Sequence, residues 1–238
     1  MIAHRGASAT WPGNTLPAFR EAVDQGSDAV ELDVRRTADG DPLVHHDAVV
    51  PGLGPIVARP AADWRRAAPR VPTLAEALDA CEGLWVDIEV KNSPSDPDWD
   101  PEDALVARVI DLLVDRGWTE RVLLTSFNPA TLARGRRLAP GVPTGWLIEG
   151  AGRLPLALEA VPDGGHFAVL PHAALLGGAE AARAAAAAHA RGVALITWTV
   201  DDEREGRRLA AAGVDGIITN RPGRLRLALD EDRYDHGG

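Results

Sequence analysis

Seven ionisable side chains suited to acid–base, metal or phosphate chemistry fall early in the chain: His4, Arg5, Glu31, Asp33, His46, Glu89 and Lys91. Glu31 and Asp33 are two residues apart in an apolar stretch, and Glu89 and Lys91 share that spacing. Residues two apart on a strand point to the same face, so each pair presents its charges together. The intervening apolar residues suit the opposite face, against covering helices, where charges would be costly. The spacing therefore predicts a converging group of carboxylates with a cation beside it.

Three carboxylates in that group, Glu31, Asp33 and Glu89, would repel one another unless a cation lay among them. An all-oxygen ligand set favours a hard divalent ion, so we expect one Mg²⁺ or Ca²⁺. The alternative is a layer of salt bridges that pairs Glu31 and Glu89 with Arg35 and Lys91. The two interpretations differ in whether the carboxylates hold an ion or contact only neighbouring side chains.

Two histidines are placed to serve the same carboxylates. His4 ends a short apolar run, and His46 ends another run that follows a turn-forming Asp-Gly pair. We interpret the second run as the return arm of a β-hairpin, which would bring residue 46 roughly opposite Asp33. Two imidazoles beside a metal-bound phosphate can supply one base and one acid. His45, the neighbour of His46, would point to the other face.

Short apolar runs alternate with helical segments along the chain. The expected strands are Ile2–His4, Ala29–Val34, Leu84–Val90, Val122–Phe127, Thr144–Ile148, Phe167–Leu170, Val193–Val200 and Gly216–Thr219. The expected helices include Leu16–Gln25, Leu74–Ala80, Pro101–Arg116, Pro129–Leu138, Leu154–Val161, Ala179–Arg191 and Asp202–Ala212. Eight strand–helix units indicate a (β/α)8 TIM barrel of the α/β class, with the hairpin inserted in the second βα connection. No break in composition marks a boundary, so we expect residues 1–238 to form a single domain.

Two segments depart from this alternation. Residues 48–71 are rich in proline and glycine, and we expect them to form a loop over the site. Residues 92–101 combine prolines with acidic side chains and are predicted to form a second loop. Active residues of such barrels lie at the carboxyl ends of the strands, which is where the charged pairs fall.

Composition limits the classes of partner. The net charge of −10 argues against a broad basic surface for nucleic acid. No apolar run approaches the roughly 18 residues of a membrane span, so we expect no integral membrane segment. Cys81 is the only cysteine, which excludes an intrachain disulfide and fits a cytoplasmic location. Oligomeric state is left open, and an anionic small molecule would have to be attracted by a local positive site.

The chain resembles the glycerophosphodiester phosphodiesterase family of the phospholipase-C-like phosphodiesterase superfamily. The matching motifs include His4-Arg5-Gly6, Pro12-Gly13-Asn14-Thr15, Glu31-Leu32-Asp33-Val34, His46-Asp47, Pro72-Thr73-Leu74, Glu89-Val90-Lys91, Trp198-Thr199-Val200 and Gly213-Val214-Asp215-Gly216. They follow one another in order from residue 2 to about residue 222. The resemblance implies a TIM barrel that binds a divalent metal and acts on a small-molecule phosphodiester.

The resemblance also implies roles for individual residues. Metal would be bound by Glu31, Asp33 and Glu89, and acid–base catalysis would be performed by His4 and His46. Arg5 and Lys91 would hold the phosphate, because a guanidinium fork and an ammonium suit phosphoryl oxygens. Trp198 would line the substrate pocket, although a purely packing role in the barrel is the alternative. The implied reaction is metal-dependent hydrolysis of glycerophosphodiesters to glycerol phosphate and an alcohol.

Three positions depart from the family pattern. Gly13 stands where the family usually has Glu, Asn220 where Asp is usual, and Asp201 where Asn is common. Two other functions are alternatives, one because it uses the same core and the other because of Gly13. One is a related lyase of the lysophospholipase D or sphingomyelinase D type, and the other is a weakly active barrel that binds phosphate ligands.

Overall fold

The computed structural model describes residues 1–150 and 152–235, and its strands form a closed barrel. In chain order they are β1 (Ile2–His4), β2 (Ala29–Arg36), β3 (Pro42–Val44), β4 (Val49–Val50), β5 (Gly54–Pro55), β6 (Trp85–Val90), β7 (Val122–Ser126), β8 (Thr144–Ile148), β9 (Ala168–Pro171), β10 (Ala194–Thr197) and β11 (Gly216–Thr219). Eight of these described strands, all but β3, β4 and β5, run parallel, and β1 closes the ring by pairing with both β2 and β11. The predicted (β/α)8 barrel is confirmed.

Helices follow the barrel strands and cover their outer faces. They are α1 (Leu16–Asp24), α2 (Ala61–Ala67), α3 (Leu74–Ala80), α4 (Ala104–Arg116), α5 (Pro129–Leu138), α6 (Arg153–Asp163), α7 (Glu180–His189), α8 (Glu203–Ala211) and α9 (Pro222–Asp235). Thr15 caps α1, and Thr73 forms a capping box with Glu76 at the start of α3. Helix α4 begins three residues later than expected, and the Asp100 carboxylate accepts hydrogen bonds from the backbone N–H groups of Glu102 and of Ala104, the first residue of the helix.

Alternating strand residues divide into two layers of the core. Leu32, Val34, Ile88 and Val90 are buried against the helices in the largest apolar cluster. Ala29, which shares a face with Glu31, belongs instead to the cluster that fills the lower barrel interior. The charged residues thus lie above an apolar floor, on the inward face of the strands.

The hairpin in the second βα connection is confirmed. Strand β3 pairs antiparallel with β2, and Val34 lies opposite Val44. The register differs by one residue from the expectation, because the backbone N–H of His45 donates to the carbonyl of Asp33 at 3.0 Å. Residue 45, and not residue 46, therefore lies opposite Asp33.

The segment 48–71 is more ordered than the expected loop and does not cover the site. It contains β4, β5, a short 3₁₀ turn at Ile56–Ala58 and helix α2. Trp64 is fully buried in an apolar cluster with Leu43 and Ile56, and its indole N–H donates to the Ile56 carbonyl at 2.9 Å. The segment thereby supports the outer side of the hairpin, and none of its described residues lines the central pocket.

Candidate active site

The carboxyl ends of the strands surround a cavity of about 250 Å³. Its walls are His4, Arg5, Glu31, His46, Asp87, Glu89, Lys91, Thr125, Phe127, Leu147, Glu149, Trp198 and Ile218. Seven of the eight site residues expected from the sequence are in this wall. The eighth, Asp33, is fully buried directly behind it. One pocket thus unites side chains from β1, β2, β6, the hairpin and the segment after β10.

Glu31, Asp33 and Glu89 converge as expected. Each offers one carboxylate oxygen, and these oxygens lie within 4.8 Å of one another. Asp33 is directly opposite Glu89 in the parallel register of β2 and β6, which explains their proximity. All three residues are buried, so their charges have little access to water.

Two cations contact this group from opposite sides. The Lys91 ammonium lies 3.0 Å from Asp33 Oδ1 and 2.6 Å from Glu89 Oε1. Arg5 Nε lies 3.1 Å from Asp33 Oδ2, and the backbone N–H of Arg5 donates to Glu31 Oε2 at 2.9 Å. The salt-bridged layer is therefore partly present through Lys91. Arg35 takes no part in it, because its guanidinium contacts Asp98 at 2.6 Å.

The carboxyl groups differ strongly in acidity. Burial raises the pKa of Glu31 well above its usual range, and the nearby Asp33 carboxylate adds to the effect. Burial also raises the pKa of Glu89 to about 8, against the attraction of Lys91. For Asp33, burial opposes ionisation, but the charges of Lys91 and Arg5 hold its pKa well below the usual value.

The residues fit a divalent cation. Among the described residues, three buried carboxylates face two neighbouring cations, Arg5 and Lys91, and burial raises the pKa of two of the carboxyls. The all-oxygen donor set is that of a hard ion such as Mg²⁺ or Ca²⁺. An ion among these oxygens would relieve the repulsion that raises the two pKa values.

His4 ends β1, and its ring forms a hydrogen bond with Asn220. Its Nδ1 lies 2.7 Å from the Asn220 side-chain oxygen, and its Nε2 lies 3.9 Å from Glu31 Oε2. Burial and the neighbouring Arg5 guanidinium lower its pKa below the usual value. Both effects favour the neutral ring.

His46 enters the pocket from the hairpin arm. Its Nδ1 contacts the exposed Asp47 carboxylate at 2.7 Å, and Arg35 Nε donates to the His46 carbonyl at 2.7 Å. Partial burial and the Lys91 charge lower the pKa of its ring. His45 lies outside the pocket wall, where its ring contacts the Asp47 carbonyl.

Trp198 both lines the pocket and packs. Its indole N–H donates to the Leu170 carbonyl at 2.8 Å, and its ring meets Phe127 edge-on at 5.5 Å between centroids. His172 contacts the same ring from another side at 4.9 Å. The packing alternative and the lining position are therefore compatible.

Asp87 is a site residue that the sequence reasoning missed. It lies on β6 two residues before Glu89, is 2% exposed and lines the cavity floor. Thr125 donates to its Oδ1 at 2.6 Å, while Oδ2 has no hydrogen-bond partner among the described residues. Burial raises its pKa to about 7. Strand alternation, already applied to Glu89 and Lys91, was the signal that could have found it.

Gly13 lies against Arg5. A Cβ atom at this position would sit 3.0 Å from the Arg5 Cβ and 3.4 Å from its Cδ. A larger side chain at position 13 would therefore press on Arg5. The absence of a side chain here lets the backbone of residue 13 lie close to the stem of Arg5.

Comparison with known proteins agrees with this geometry. The sequence profile of the glycerophosphoryl diester phosphodiesterase family matches residues 4–224. The chain belongs to this family. A glycerophosphodiester phosphodiesterase from Caldanaerobacter subterraneus subsp. tengcongensis is 30% identical, over 93% of this chain and 94% of the relative. The prediction that the chain is an enzyme of this family is confirmed.

Solved structures show the same relationship. The crystal structure of a protein from Silicibacter pomeroyi superposes on this chain with a TM-score of 0.86 at 28% identity. The superposition covers 98% of this chain and 93% of the other chain. A phosphodiesterase from Oleispira antarctica, solved with the product sn-glycerol-3-phosphate, gives a TM-score of 0.81 at 25% identity and covers 96% of each chain. Family enzymes depend on metal, and the described residues contain an acidic group that could hold one. Within the described ranges, every helix is too short or too polar to traverse a lipid bilayer.

Proposed function

We propose that this enzyme hydrolyses glycerophosphodiesters to glycerol phosphate and an alcohol in a reaction that depends on one divalent cation. The observation that carries the proposal is the convergence of three buried carboxylates, two imidazoles and two cations on one cavity. The Oleispira antarctica relative, which holds sn-glycerol-3-phosphate, supports the same product class. We also propose that residues 1–238 act as a single domain, since the family match spans most of the chain.

Glu31, Asp33 and Glu89 would hold the ion, either Mg²⁺ or Ca²⁺. When bound, it would supply Lewis-acid stabilisation of negative charge on the phosphoryl oxygens. Arg5 and Lys91 border the same space and would bind those oxygens directly. Electrostatic stabilisation of developing charge is usually the largest contribution to such reactions.

His4 and His46 would move the protons. One imidazole would take the proton of the nucleophile, and the other would donate a proton to the departing alkoxide. Both rings line the cavity, from β1 and from the hairpin arm. Trp198 would form the apolar side of the substrate pocket, where it is already fixed by its hydrogen bond to Leu170.

The proposal is tested with purified enzyme freed of metal by a chelator. Glycerophosphocholine, glycerophosphoethanolamine and glycerophosphoglycerol are supplied with and without Mg²⁺ or Ca²⁺, and glycerol phosphate is measured. We expect turnover only with a divalent ion. Full turnover in the chelator would refute metal dependence. Preferential attack on lysophospholipids would instead support the lysophospholipase D alternative, and phosphate binding without turnover would support a binding barrel.

A further inference from the structure

Two polar residues outside the cavity wall form a continuous chain of hydrogen bonds behind His4. Asn220 follows β11, and its side-chain oxygen lies 2.7 Å from His4 Nδ1. Its side-chain amide nitrogen donates to Asp201 Oδ2 at 2.6 Å. Asp201 follows β10, so the chain joins three strands that are neighbours in the barrel.

The Asp201 carboxylate fixes which way the Asn220 amide points. Asp201 Oδ1 accepts the backbone N–H of Asn220 at 2.8 Å and the Thr219 hydroxyl at 3.1 Å, while Oδ2 accepts the amide of Asn220. An ionised carboxylate can only accept hydrogen bonds, so the NH₂ group of Asn220 must face it. In this orientation Asn220 Oδ1 also accepts the Ser8 hydroxyl at 2.6 Å.

That orientation determines the tautomer of His4. Because the Asn220 oxygen can only accept, Nδ1 of the neutral imidazole must carry the proton. Nε2 is then the unprotonated nitrogen, and it lies on the opposite side of the ring, toward Glu31. The ring is held with its basic nitrogen toward the cavity.

We propose that Asp201 and Asn220 are positioning residues that hold His4 as the Nδ1–H tautomer with Nε2 available to accept a proton. The proposal rests on the proposed function, in which His4 is one of the two proton-transfer residues. It assigns His4 to the base role in the first step and leaves His46 as the acid. Asp201 and Asn220 touch neither the substrate nor the reacting atoms, because both are absent from the cavity wall.

The hydrogen bonds of Asp201 and Asn220 are preserved when the two residues are exchanged with each other, but not when either residue is replaced alone. In Asp201→Asn, residue 201 has a single oxygen, which can serve either the backbone side or the Asn220 side but not both. The amide of Asn220 is then free to flip and to present NH₂ to His4. In Asn220→Asp, two carboxylates face each other and repel.

In the double variant Asp201→Asn/Asn220→Asp, every donor again meets an acceptor. The new amide at position 201 keeps its oxygen toward the backbone and donates its NH₂ to the new carboxylate at position 220. The other oxygen of that carboxylate accepts from His4. The double variant therefore restores the tautomer that Asp201→Asn alone would lose.

The experiment combines steady-state kinetics on glycerophosphocholine with the tautomer of His4 measured by long-range ¹H–¹⁵N correlation spectra. The spectra are recorded above pH 7.5 with Mg²⁺ present, and the His4 signals are identified by their loss in His4→Gln. We expect Asp201→Asn to lower kcat on the order of 10- to 100-fold, as loss of a histidine-orienting partner does elsewhere. KM should change by no more than about threefold, because substrate contacts are intact.

The wild-type spectrum should show His4 protonated on Nδ1, and Asp201→Asn should reduce that population. The double variant should recover most of the lost kcat together with the tautomer. Asp202→Asn is the matched control, since it removes a neighbouring carboxylate whose hydrogen bond among the described residues caps helix α8, and its kcat should stay within about twofold.

The proposal is overturned if Asp201→Asn retains both kcat and the tautomer, or if a folded double variant is no more active than Asp201→Asn. Circular dichroism establishes folding for each variant. The proposed function fails separately, if wild-type enzyme turns over no glycerophosphodiester. In that case the tautomer spectra still decide whether Asp201 and Asn220 orient His4.

Discussion

The two histidines of the site are held in opposite ways. His4 ends a barrel strand, its side chain is 19% exposed, and its ring is fixed by Asn220. His46 lies beyond β3 with a side chain that is 42% exposed, and its ring contacts only the exposed Asp47 carboxylate among the hydrogen bonds described. The position of His46 is set through its backbone, which accepts a hydrogen bond from Arg35.

The difference indicates how a rigid barrel and an added arm would share the proposed reaction. The barrel provides a ring whose proton position is determined by hydrogen-bonded neighbours at the ends of adjacent strands. The arm provides a ring that water and substrate can reach. Side chains built on strands are placed more precisely than those on loops. Arg35, which is buried and anchored by Asp98, compensates by tying the arm to the neighbouring loop.

The largest expected effect comes from removing either ring. His4→Ala and His46→Ala should each lower kcat by about 10²- to 10⁴-fold, the usual contribution of a positioned acid or base. Turnover of glycerophosphocholine with saturating Mg²⁺ measures the loss. His45→Ala is the control for His46, and its kcat should be close to that of wild type. Unchanged turnover in both main variants would remove the acid–base assignment.

Added imidazole separates the two rings. Imidazole should raise the kcat of His46→Ala by roughly tenfold. The site of the missing ring is open to solvent, and general acid catalysis tolerates a diffusible proton donor. It should raise the kcat of His4→Ala far less, since the space left by the His4 ring is enclosed by the barrel. Rates are measured across an imidazole titration at constant pH and ionic strength. Equal recovery of the two variants would contradict the difference in enclosure.

Arg35→Gln tests the anchoring of the arm. Loss of the bond to the His46 carbonyl should lower kcat by about tenfold, because the acid would no longer be held in place. Arg36→Gln is the control, since Arg36 makes no contact with His46 among the described residues.

Removing Arg35 leaves the Asp98 carboxylate buried without its partner, which could itself destabilise the fold. The double variant Arg35→Gln/Asp98→Asn removes that charge. If the double variant is as stable as wild type and equally active, the anchoring role of Arg35 is wrong.

The affinity of the buried carboxylates for a divalent cation should depend on pH. Burial raises the pKa of Glu89 to about 8, which favours the protonated carboxyl in the metal-free folded enzyme below that pH. The associated stability is present below the usual pKa of 4.5 and is lost as pH rises toward 8. A cation must displace this proton, so binding is favoured at higher pH.

The increase in Tm caused by Mg²⁺ or Ca²⁺ should therefore be larger at pH 8 than at pH 6, by a few degrees. Thermal unfolding with and without the ion at each pH measures this increase in Tm. Taking the difference between the two Tm values at one pH removes the effect of groups that titrate elsewhere in the protein. Glu89→Gln should remove most of the dependence on pH. An increase in Tm that shrinks between pH 6 and pH 8 would contradict the prediction.

Much of the fold followed from local pattern. The eight barrel strands were found because strand alternation depends on neighbouring residues. The segment 48–71 was misjudged, because its order comes from the burial of Trp64 against Ile56 and Leu43. The hairpin register was off by one residue, since the geometry of its turn determines which residues pair.

The sequence by itself determined which residues share the inward face of β2 and β6. Side chains alternate between the two faces of a strand, and the apolar residues must face the helices. The inward face therefore carries Glu31, Asp33, Glu89 and Lys91. The sequence thus determined which charged side chains these two strands contribute to the site.

Only the tertiary structure decided which side chains hold one another. Arg35 pairs with Asp98, 63 residues away, and His4 meets Asn220 across 216 residues. Such contacts depend on where strand ends and loops meet once the barrel closes. The proton position on His4 is set by hydrogen-bond donors and acceptors on three strands, and that arrangement exists only in the folded chain.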